Sequence, residues 1–276
     1  MISLTYGGGV TATLPQSPRP IGELLRQWRE RRRLSQLELS NQAEVSTRHL
    51  SFVETGRSVP SREMVLQLTE HLEVPLRERN RLLLAAGYAP VYSETSFDAP
   101  QMEAIRAAVR QVLDGHEPYP AVVVDRAWNL VDANSSLSLF TDVVAPHLLQ
   151  PPANVLRASL HPEGFAPHII NLGEWRAHLL ARLRRQIEIS GDASLVALLE
   201  ELEGYPCDQP QPTIELPGPG EIVVPLRVRH GEAELTFFSI IATFGTPLDV
   251  TLSELAIESF FPANAQTSEL LRSRSV

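Results

Sequence analysis

Ser46, Thr47, Arg48, His49 and Ser51 crowd the start of one short segment, and its apolar members Leu50 and Val53 recur at the spacing of a single buried helix side. Such a segment is suited to touching a partner. A guanidinium fork can grip the O6 and N7 atoms of guanine, and hydroxyls or an imidazole can reach other base edges in a major groove. Gln36 lies ten residues upstream of Ser46, and Arg57 follows Gly56. Both have the reach and chemistry for phosphate oxygens, contacts that set register while base contacts set sequence preference.

Side chains used this way need helices locked together behind them. Ser35 and Glu38 stand at capping-box spacing before one helix, with Leu37 and Ala43 as its inner side. Val45 plugs the turn that follows, and Ser46 caps the next helix. Upstream, Pro20 opens a helix with Ile21, Leu24, Leu25 and Trp28 at helical spacing. Arg29, Arg31, Arg32 and Arg33 decorate its end and read as a solvated face. Downstream, Ser61 caps a helix that buries Val65, Leu68 and Leu72, and Pro75 begins a fifth, closed by Gly87. Five helices over residues 19–90 form an all-α helix-turn-helix domain, whose use is to place one helix in duplex DNA.

Charge divides along the same line. Residues 19–90 carry twelve arginines against nine acids, whereas residues 91–276 carry twelve against 24, for a net charge of −9. A basic head on an acidic body suits a DNA-binding domain whose neighbour avoids DNA. The sequence holds no lysine. That removes Schiff-base and pyridoxal chemistry, the phosphate-binding lysine of a P-loop, and a Ser–Lys self-cleavage dyad. Cys207 stands alone, so internal disulfides and cysteine metal clusters are excluded, and a redox role has no resolving thiol. Neither His161 nor His168 sits in a helical zinc motif, and no nucleophile elbow or dinucleotide glycine motif occurs. The expectation is a non-enzyme. No apolar run reaches membrane-spanning length, and the first residues lack a secretion signal, so the expected location is the cytoplasm.

Residues 1–18, with Gly7–Gly9, Pro15 and Pro18, suggest a disordered tail, and 91–100 a linker. Residues 101–268 read as an α+β domain with a small antiparallel sheet. A helix covers 101–113, and two strands over 119–134 turn near Asp125 and Arg126. Asn134 begins a helix, and further helices cover 174–189 and 192–203. The proline-rich stretch 206–220 is loop, and 221–245 is a hairpin turning at His230-Gly231. Thr251 and Glu254 have capping-box spacing for a last helix through about Phe260.

VSTRHLSFVETGRSVPS resembles the Xre-type helix-turn-helix family of the phage-repressor class. The resemblance implies that Gln36 and Ser46 touch the DNA backbone, that Thr47 and Arg48 face bases, and that Glu54 is structural. It also implies a homodimer on an inverted repeat of double-stranded DNA. NVLRASLHPEGFAPHIINLGEWRAHLLARLRRQ and ATFGTPLDVTLSELAIESFFPAN resemble the C-terminal domain of MmyB-like regulators, which join an Xre-type head to a PAS-like ligand-binding domain. That implies a sensor with an apolar cavity, which in some relatives holds a fatty acid. Phe140, Phe165, Trp175, Leu179 and one face of the 233–244 strand are candidates for its wall. Arg157 and Arg176 could fork onto a ligand carboxylate, and Asn154 and His161 lie in the same phrase. Arg157 could equally pair with an acid inside the fold. The rival expectation is a second domain that only dimerises or docks a protein, with no small molecule.

Overall fold

The computed structural model describes residues 21–210 and 224–273. The expected tail 1–18, Pro20 and most of the proline-rich stretch lie outside the described residues. Two compact units separate. One runs through Val74 and takes up Glu78–Pro90, and the other comprises Pro75–Arg77 and the chain from Val91 onward.

The first unit holds helices α1 (Ile21–Arg31), α2 (Gln36–Gln42), α3 (Thr47–Glu54), α4 (Arg62–His71) and all but the first two residues of α5 (Leu76–Ala85). The capping box at Ser35 forms in both directions: its hydroxyl accepts from Glu38 N, and Glu38 accepts from Ser35 N. Ser46 accepts from His49 N and Ser61 from Met64 N, so three helix starts are satisfied by serine hydroxyls. Leu25, Trp28, Leu39, Ala43, Leu50, Val53, Val65, Leu68 and Leu72 fuse into one core, with Val45 packed against it. Leu37, expected inside, is instead exposed, because α2 buries Leu39 two positions further on.

The second unit opens with α6 (Glu103–Gly115) and the strands β1 (Ala121–Val124) and β2 (Leu130–Ala133). Short helices α7 (Ser138–Thr141) and α8 (Val155–Leu160) precede the long pair α9 (Leu172–Ser190) and α10 (Ala193–Glu203). The hairpin of β3 (Leu226–His230) and β4 (Ala233–Thr243) turns at Gly231, whose φ of +58° suits a residue without Cβ. Next come α11 (Val250–Ser253), β5 (Ala256–Pro262) and α12 (Ala265–Ser273). The sheet order is β2-β1-β5-β4-β3, every pair antiparallel.

Alternation along β1 explains its burial on both sides. Ala121 and Val123 pack with Val109 and Leu113 of α6, while Val122 and Val124 face the larger core under α8, α9 and α10. The expected last helix is corrected here. Asp249, not Thr251, caps a single turn, accepting from Thr251 N and Leu252 N. The chain from Ala256 then runs between β1 and β4 and bonds to both. Two ladders of backbone hydrogen bonds outweigh the weak local preference that suggested helix.

Candidate DNA-reading face and ligand cavity

The head of α3 is clamped from behind. Leu50 and Val53 are wholly buried, and Gly22 of α1 lies so close that an added Cβ would sit 2.1 Å from the Val53 carbonyl oxygen. Ser40 of α2 and Thr47 of α3 share a 2.7 Å hydroxyl contact across the turn. Between these helices Glu44 takes a left-handed conformation, φ +50°. On the outer side Ser46, Arg48, His49 and Arg57 are exposed, with Thr47 and Ser51 partly so.

Phe52, which the sequence reading passed over, sits between the two cations. The Arg48 guanidinium lies 5.3 Å from its ring centroid and that of Arg57 5.9 Å. Both distances are within cation–π range, and the four-residue step from Arg48 to Phe52 was the available signal.

Behind this face lies a buried ion pair. Arg29 donates from Nε to Glu54 Oε1 at 2.7 Å and from Nη2 to Oε2 at 2.9 Å, and from Nη1 to the Leu34 carbonyl at 2.7 Å. The bond to Glu54 raises the Arg29 pKa above its ordinary value. Gln36 Nε2 donates to Glu54 Oε2 at 2.8 Å, so this amide is held by the network before any phosphate arrives. Arg29 is therefore no part of a solvated cluster. Arg32 is half-buried and donates to the Leu72 and Glu73 carbonyls, whereas Arg31, over the Trp28 ring, and Arg33 stay exposed as expected. The Glu54 carboxylate draws Arg29 inward, and the carbonyls that end α4 draw Arg32.

The second unit contains a cavity of about 100 Å³. Phe140, Phe165, Trp175 and Leu179 all line it. Strand positions in the wall come from Val122 of β1, Leu130 of β2, Leu226 of β3 and Glu258 and Phe260 of β5. The expected β4 face contributes no lining residue: Phe237, its innermost side chain, is wholly covered and packs edge-on against Phe140.

Of the five candidate ligand residues, the wall includes Asn154 and Trp175. Asn154 caps α8, accepting from Arg157 N and donating to the Ala127 carbonyl. The Trp175 indole N–H points to Ser159 Oγ at 3.3 Å. The other three lie outside the wall. Arg157 forks onto Glu201 with two 2.7 Å bonds, and His161 rests against the Tyr205 ring. Arg176 is buried and donates to the Glu203 carbonyl at 2.7 Å, closing the end of α10. Arg157 is taken by the Glu201 carboxylate, which also accepts from the Tyr205 hydroxyl, and Arg176 by the free carbonyls at the end of α10. Among the described residues no group of His, Cys, Asp or Glu could hold a metal. No described helix is long and apolar enough to cross a membrane.

Comparison with known proteins assigns both units. Residues 20–82 match the helix-turn-helix domain. Residues 105–273 match the MmyB-like transcription regulator ligand binding domain, reaching the end of α12 and past the expected boundary at 268. No curated protein matches the chain. A capped, basic-faced α3 in one unit and an apolar cavity in the next agree with these two matches, and the chain belongs to the MmyB-like transcription regulators, DNA-binding proteins with a ligand-binding domain.

Proposed function

We propose that α3 enters the major groove as one half of a homodimer on an inverted repeat, and that a small apolar ligand in the PAS-like second unit adjusts DNA affinity. The observation that carries this reading is the split of α3: Leu50 and Val53 fully buried, Ser46, Arg48 and His49 exposed at its head. Arg48, Thr47, His49 and Ser51 read bases, while Ser46, Gln36 and Arg57 meet phosphates. One such domain covers little duplex, which favours two copies on half-sites ~34 Å apart. The protein acts in the cytoplasm and without catalysis.

Ligand control requires a differential affinity for two arrangements of the protein. The apolar cavity supports a ligand of modest size, since its volume of about 100 Å³ lies below the usual range of drug-sized pockets. The test is a binding titration of the full chain on DNA selected from random sequence, with and without compounds recovered from gently purified protein. Dimer stoichiometry on paired half-sites and a ligand-dependent affinity are expected. Single half-sites at monomer stoichiometry would refute the dimer. Affinity indifferent to every recovered compound would favour a second unit that only docks or dimerises.

A further inference from the structure

One charged side chain interrupts the cavity wall. Glu258 stands in mid-strand on β5, on the same side as Phe260, opposite Val122 of β1 and Ile241 of β4. It is 5% exposed and lines the cavity. Arg182 of α9 offers it a single nitrogen, Nη1, at 3.2 and 3.3 Å from the two oxygens. Among the described residues nothing else donates to this carboxylate. An ionised carboxylate has about four acceptor sites, so much of this capacity is unspent.

Arg182 is not placed to cover the remainder. Its guanidinium lies 4.2 Å from the centroid of Trp128, another wall residue, whose indole N–H is fixed on Gln186 Oε1 at 2.7 Å. The other polar side chains of the wall are already engaged. Asn154 uses both ends of its amide, Ser159 Oγ faces the Trp175 N–H, and Thr141 Oγ1 donates to the Leu137 carbonyl. A buried acceptor left short of donors is costly, and an incoming donor offsets that cost.

The charge of the pair then selects among donors. An anionic ligand would bring a second negative charge against Glu258. A cationic ligand would shed its water to reach a carboxylate already neutralised by Arg182 and would sit beside that guanidinium. We infer that the cavity takes a small apolar molecule bearing one uncharged hydroxyl or N–H donor, which bonds to Glu258, and that it discriminates against carboxylates. Arg157 and Arg176, the two cations that sequence had offered to a ligand carboxylate, serve the fold elsewhere. This inference rests on the reading that the cavity is a ligand site.

Four probes of nearly equal size test it by calorimetry on the full chain: 2-phenylethanol, ethylbenzene, phenylacetate and 2-phenylethylamine. The alcohol should bind about tenfold tighter than ethylbenzene, the difference one charge-assisted hydrogen bond makes, with both charged probes weakest. Glu258→Gln keeps an acceptor but removes the charge, so phenylacetate should gain while the alcohol keeps its lead. Glu258→Met combined with Arg182→Met should bind alcohol and ethylbenzene alike. Phenylacetate binding best, or the alcohol gaining nothing over ethylbenzene, overturns the inference and leaves the cavity as a ligand site. Failure of all four probes to bind overturns both. Should neither variant fold, the rank order on the unaltered protein decides alone.

Discussion

Arg29, Glu54 and Gln36 decide how firmly the reading face is held. The pair is nearly dry, with side-chain exposures of 10% and 2%. Removing one partner therefore strands a buried charge. Arg29→Ala should destabilise the first unit by ~3–5 kcal/mol, whereas Arg29→Met with Glu54→Leu should cost far less, both measured by urea unfolding. His178 makes a prediction of another kind. Burial first, then the neighbouring Arg182 and Arg185 charges, lower its pKa, against an opposing pull from Glu258. It stacks on Trp175, a wall residue of the cavity. Since the unfolded chain binds this proton more readily than the folded one, stability should fall as pH drops below ~6.5 and level off below the depressed folded value. Urea midpoints between pH 5 and 7.5 should show a shallower fall in His178→Asn than in the unaltered chain. Parallel profiles would remove His178 as the cause.

Elements carry strain as well as support. Glu44, between α2 and α3, holds φ at +50°, a conformation that costs a side-chain-bearing residue ~1 kcal/mol or more. Glu44→Gly should raise the urea midpoint by an amount worth up to ~1 kcal/mol and leave DNA affinity unchanged, since the exposed glutamate belongs to neither reading set. Much at this scale was legible in sequence because its causes are local. Serines 35, 46 and 61 cap helices through hydroxyls within three residues, and Gly231 turns a hairpin whose partners are adjacent. What escaped was non-local. β5 has the local look of a helix continuation and becomes a strand only because β1 and β4 flank it. Arg29 reaches Glu54 across 25 residues and Arg157 reaches Glu201 across 44, distances at which a sequence shows charges but not pairs. The cavity's aromatic wall followed from the family resemblance alone, while Glu258 lay inside the segment expected as helix.

At the scale of the molecule, two units with separate cores should respond separately to damage. Leu50 and Leu183 are both wholly buried, one in each. Leu50→Ala and Leu183→Ala should each cost ~2–5 kcal/mol, and in calorimetry each should lower a different transition. A single transition shifted equally by both would mean that the units unfold as one. The functional claim rests on α3 reading base edges, and Arg48 is the side chain most exposed to that test. Binding of the full chain and of Arg48→Ala should be compared at one fixed salt concentration, on the DNA site selected by the unaltered protein and on unrelated duplex. Loss of ~1–3 kcal/mol on the selected site, with only a small change on unrelated duplex, is expected of a base-reading arginine. Equal affinities for the selected site, or a uniform weakening on both duplexes, would contradict base reading by Arg48 at the head of α3.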